Sequence, residues 1–93
     1  MDNEELLIKV KTGLGIFGNY QDDTLRVYIE EVKQYMDSAG VSKEVIDSPV
    51  SIGTIIRGVS DLWDYSSGST GLSPYFKERC IQLRAIVFKG DNS

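Results

Sequence analysis

The chain contains no histidine and a single cysteine, Cys80. An intrachain disulfide is therefore excluded. So are cysteine/histidine zinc sites within one chain and nucleophilic catalysis of the Ser-His-Asp or Cys-His type. Prolines number two, and no apolar run exceeds four residues. Neither a membrane span nor a signal peptide is expected, which points to the cytosol. Sustained strand-type alternation is also missing. What remains is an ordinary globular composition, 41% hydrophobic and 26% charged over 93 residues. That suffices for one domain over residues 1–93 with a single modest core and little room for a deep substrate cavity.

The net charge is −4, unevenly spread. Residues 1–48 hold five basic and ten acidic groups, whereas residues 49–93 hold five basic and four acidic groups. Affinity for DNA comes largely from Lys and Arg on phosphates, so this balance argues against wrapping nucleic acid or reading its sequence. It suits either a solvated acidic face or charge-complementary packing against other proteins or other copies of the chain.

Four apolar stripes at helical spacing predict an all-α bundle of four main helices. The first covers 4–14 on Leu6, Leu7, Val10 and Leu14, capped by Asp2 or Asn3, with Lys9 and Lys11 facing elsewhere. The second covers 23–39 on Leu25, Tyr28, Ile29, Val32, Met36 and Ala39, capped by Asp22 or Asp23 and ended at Gly40. A further short turn is expected at 42–46. Ser48-Pro49 starts the third helix, 49–64, on Ile52, Ile55, Ile56, Val59, Leu62 and Trp63. Gly53 and Gly58 interrupt it at a cost of roughly 0.5–1 kcal/mol each against alanine. That cost is usually accepted for close backbone approach, so a neighbouring helix is expected to cross at both. Ser73-Pro74 opens the fourth helix, 74–88, on Phe76, Cys80, Leu83 and Val87, with Ile81, Ala85 and Phe88 as a second apolar edge. Residues 89–93 read as a polar, mobile tail.

Gly13-Leu-Gly-Ile-Phe-Gly18 matches the dinucleotide fingerprint G-x-G-x-x-G letter for letter. That chemistry needs the turn between a strand and a helix, and here it follows an amphipathic helix. It reads as a loop connecting helices, and no cofactor is expected. Cys80, on an apolar stripe, reads as a buried structural thiol. Asp61 and Asp64, three apart with Arg57 four residues before Asp61, read as a local ion-pair patch. Tyr65, Tyr75 and Phe76 flank the glycine-rich segment 65–72, near Trp63. They fit either a core with polar-tipped tyrosines at its edge or a tyrosine-anchored interface.

The residues also carry a resemblance. Leu6-Leu7-Ile8-Lys9-Val10-Lys11-Thr12-Gly13-Leu14-Gly15-Ile16 is similar to the opening of the small phage head–tail connector proteins. So are Tyr20-Gln21-Asp22-Asp23-Thr24-Leu25, Tyr28-Ile29-Glu30-Glu31-Val32-Lys33 and Tyr35-Met36-Asp37-Ser38-Ala39-Gly40-Val41. Gly58-Val59-Ser60-Asp61-Leu62-Trp63 and Ser73-Pro74-Tyr75-Phe76 resemble the version found in prophages of Gram-positive bacteria. The similarity spans about residues 5–88. It implies a small all-α protein without catalysis or cofactor that forms a ring of identical copies on the portal, matching its twelvefold symmetry. That ring extends the DNA channel and receives the tail or a stopper protein. The virion, and the host cytoplasm during assembly, are the implied locations. On this reading the interface residues are Tyr65, Ser69, Tyr75, Arg79, Arg84 and Lys89, on the 65–72 segment and the outer face of the fourth helix. A DNA-binding bundle and a regulatory partner protein of the antitoxin or adaptor kind are the rival classes.

Overall fold

The computed structural model describes residues 2–65 and 71–87. Among them the chain forms α1 (Asn3–Leu14), α2 (Asp22–Ser38), α3 (Lys43–Ile46), a 3₁₀ turn (Pro49–Ser51), α4 (Ile52–Tyr65) and α5 (Pro74–Arg84). No strand occurs among the described residues, and the expected all-α architecture holds.

Local chemistry explains the boundaries. Asp2 and Glu5 form a capping box on α1: the Asp2 carboxylate accepts from Glu5 N–H at 2.8 Å, and the Glu5 carboxylate accepts from Asp2 N–H at 3.2 Å. Asn3 instead reaches across to α2, donating to Glu30 at 2.7 Å and accepting from Lys33 at 2.9 Å. The helix ends at Gly15 in the left-handed region, φ +71°. Ile16 N–H then donates back to the Lys11 carbonyl at 2.9 Å, which is the Schellman closure that glycine permits. The same device ends α2: Gly40 has φ +96° and Val41 N–H returns to the Met36 carbonyl at 3.0 Å.

The start of α2 departs from expectation. The helix begins at Asp22, and neither Asp22 nor Asp23 caps it; Gln21 holds the cap position with no side-chain bond. Asp22 pairs instead with Lys11 of α1 at 2.7 Å, both side chains about four-fifths buried. Lys11 therefore does not face away from the bundle. A largely buried ammonium needs a counter-charge more than the helix end needs a cap. Asp23 turns to Arg26 at 2.8 Å.

The short turn expected near 42–46 is α3, capped by Ser42. Its Val45 and Ile46 join the core, together with Val41. The expected third helix begins as the 3₁₀ turn and continues directly into α4. Buried Ser51 ties that junction together, donating to the carbonyls of Ile46 at 2.6 Å and Ser48 at 3.0 Å. The last helix, α5, stops at Arg84 instead of running to 88. There Ala85 and Ile86 N–H groups bond three residues back, tightening the final turn. Val87, 77% exposed, drops out of the expected apolar stripe, and Ile81 faces solvent as well. The expected tail, 89–93, lies outside the described residues.

The most central element is α4, which packs on α1, α2 and α5. Leu6, Val10, Leu25, Ile29, Val32, Met36, Ile55, Val59 and Phe76 are buried between these helices. Gly58 lets α2 and α5 approach: a Cβ there would sit 2.7 Å from Phe76 Cε1 and 2.9 Å from Val32 Cγ1. Gly53 does not mark a crossing. A Cβ at Gly53 would meet nothing within 4 Å, because this side of α4 faces a surface groove.

Candidate protein-interaction surfaces

That groove lies between the amino-terminal end of α4 and α5. It measures about 240 Å³ and is lined by Val50, Gly53, Thr54, Tyr75 and Arg79. Thr54 is buried, and the bare Gly53 backbone keeps the groove open. Tyr75 is 58% exposed. The Arg57 guanidinium stacks on its ring, 5.2 Å from the centroid.

Behind this pair stands Asp61, which is buried and does two jobs. One carboxylate oxygen pairs with Arg57 Nε at 3.2 Å, and the other accepts from Ser73 N–H at 3.0 Å. Ser73 caps α5, its hydroxyl accepting from Phe76 N–H at 3.2 Å. Asp61 thus holds the start of α5 against α4 and, through Arg57, orients Tyr75 at the groove. The sequence reading of Asp61 as half of an ion pair stands, but it missed the Ser73 bond. The signal was a carboxylate two residues from a core position on an apolar helix, twelve residues before a Ser-Pro helix start.

Of the residues expected at an interface, Tyr75 and Arg79 come together at this groove. Arg79 bonds to the neutral side chain of Gln82. Arg84 stands apart: its aliphatic stem covers the turn after α2, where a Cβ on Gly40 would lie 2.8 Å from its Cδ. The Tyr65 side chain, Ser69 and Lys89 lie outside the described residues.

A second surface was not singled out from the sequence. Between α1 and α2, the left-handed turn at Gly15 folds Ile16 against the core and sends the following residues outward. Phe17, 92% exposed, lines a surface groove with Ile8 and Lys11 of α1, and Tyr20 is 93% exposed. The G-x-G-x-x-G letters serve this helix end: Gly13 lies within α1 against Ile56, and Gly15 is the cap.

Cys80 is buried within the core, and burial pushes its thiol pKa up. Among the described residues no three or more His, Cys, Asp or Glu side chains gather as a metal would require. None of the described helices is long and apolar enough to cross a membrane. Comparisons with protein-family models, curated proteins and solved structures find no match to this chain.

Proposed function

We propose that this protein is a virion-assembly component of the head–tail connector kind. In this role it forms a ring of identical copies on the portal of the DNA-filled head and offers a surface to the tail or a stopper protein. It works by binding alone, without catalysis or cofactor, in the host cytoplasm during assembly and then in the virion. The reading rests on the connector-like segments spread over about residues 5–88. The structural observation that supports it best is the position of exposed Tyr75 and half-buried Arg79 around one groove, with Arg57 stacked on Tyr75. Tyrosine and arginine are the residue types enriched where proteins meet. The overall acidic charge suits a channel that DNA must pass without adhering. Deleting the gene from its phage tests this. Heads and tails should accumulate unjoined, and complementation should restore joined particles. Normal particle assembly without the protein would defeat the reading.

A further inference from the structure

Thr54, in the first turn of α4, is only 4% exposed, yet its hydroxyl has no hydrogen-bond partner among the described residues. A helical threonine can turn its hydroxyl back to the carbonyl four residues before, as Thr12 does to Ile8 at 3.0 Å. Thr54 does not. Its oxygen is not sealed off either, since among the described residues the one fully buried side-chain oxygen without a hydrogen bond belongs to Asp22. The access that Thr54 has is to the groove between α4 and α5, which it lines.

The other lining residues decide which group that hydroxyl would meet. Arg79, half-buried, carries five N–H donors and no acceptor. It donates to the Gln82 side chain, and no carboxylate pairs with it among the described residues. Arg57, nearby, is already committed to Asp61 at 3.2 Å. No acidic residue lines the groove among those described. Two donors and one uncommitted cation call for an acceptor carrying a single negative charge. Val50 and the Tyr75 ring, both partly exposed, supply apolar walls for a hydrocarbon stem. At about 240 Å³ the groove is smaller than the ~300–1,000 Å³ of small-molecule pockets, and suits one side chain of a larger body.

We propose that the groove is a carboxylate site that takes the acidic side chain of a partner protein. Thr54 and Arg79 donate to its oxygens, and Val50 and Tyr75 cover its stem. The inference rests on the connector reading only in making that partner a virion-assembly protein. A phosphorylated side chain fits less well, because its charge of about −1.5 to −2 exceeds what Arg79 alone offsets.

NMR titration of the isotope-labelled protein tests the site. With the peptide acetyl-Ala-Glu-Ala-amide, the backbone amides of Gly53 and Thr54 and the Nε of Arg79 should shift saturably. With the glutamine version they should stay in place. Thr54→Val keeps the shape and removes the hydroxyl, and Arg79→Gln removes the charge. Each should weaken binding about tenfold, the loss of one hydrogen bond to a charged group. Neither should lower the melting temperature appreciably: Thr54 has no hydrogen bond to lose, and Arg79 has one, to exposed Gln82. Equal shifts with the glutamine peptide overturn the proposal. So do the absence of saturable shifts, undiminished binding by both variants, and tighter binding of inorganic phosphate at matched ionic strength. Any of these leaves the connector reading standing, since gene deletion is what tests it. Normal particle assembly without the gene defeats the connector reading, while glutamate-dependent shifts lost in both variants still support the carboxylate site.

Discussion

Two glycines on one helix should respond oppositely to the same substitution. In Gly58→Ala the added methyl would meet Phe76 Cε1 at 2.7 Å and the Val32 methyls at 2.9 and 3.0 Å. Phe76 and Val32 have no solvent exposure, so neither can swing aside into water. Overpacking of this kind costs roughly 1–3 kcal/mol. Alanine returns about 1 kcal/mol through its helix propensity. The net expectation is a loss of about 1 kcal/mol, which lowers Tm by roughly 4–8 °C in a domain of this size. Gly58→Leu should lose more, since the longer side chain has no space to enter. At Gly53 a Cβ meets nothing within 4 Å, so Gly53→Ala collects the propensity gain alone, about 0.5–1 kcal/mol. Thermal melts followed by far-UV circular dichroism read both variants against the wild type. If Gly58→Ala stabilises as much as Gly53→Ala, the close passage of α2 and α5 over α4 is wrong.

Three further outcomes follow from particular contacts. Asp61→Ala removes the acceptor for Ser73 N–H and the Arg57 partner, and should destabilise by about 1–3 kcal/mol in urea unfolding; Arg57→Ala, which breaks the ion pair and the stack on Tyr75 but leaves the Ser73 bond in place, should cost less, about 1 kcal/mol. Arg26 hydrogen-bonds to the Glu4 carboxylate and holds its pKa below the ordinary value. The stabilisation is therefore complete above the ordinary carboxylate range and lost as pH falls through the lowered value; wild type should melt slightly above Glu4→Gln at about pH 7 and equal to it near pH 2, and a difference that grows on acidification would contradict this. Cys80, buried with a raised thiol pKa, should resist a maleimide in the native protein and react on denaturation; rapid labelling of the folded chain would place the thiol at the surface.

Most of the fold was legible because each stripe, cap and glycine stop pointed the same way. Leu6, Val10, Ile29, Val32, Ile55 and Phe76 fell on the buried faces their spacing assigned. The failures share a cause: tertiary partners overrode local signals. Asp22 had the right type and place for a cap, but Lys11, on the preceding helix and across a loop, claimed it. Gly53 and Gly58 look alike in sequence, and only the packing of α2 and α5 over one side of α4 tells them apart. Val87 kept the spacing of a core residue past the point where the chain stopped being helical. Of the candidate site, Tyr75 and Arg79 were legible as outer-face members of the last helix, one turn apart. Phe17 and Tyr20 were not, because loop aromatics carry no periodicity; their exposure follows from the turn at Gly15.

Electron microscopy of the cognate portal mixed with excess protein tests the central claim most directly. The account predicts an added annular layer bearing the portal's symmetry, and its loss with Arg79→Glu while the melt stays nearly unchanged. Arg79 is the better choice than Arg84, whose stem also packs over Gly40. A portal that stays bare at saturating protein would contradict the assignment.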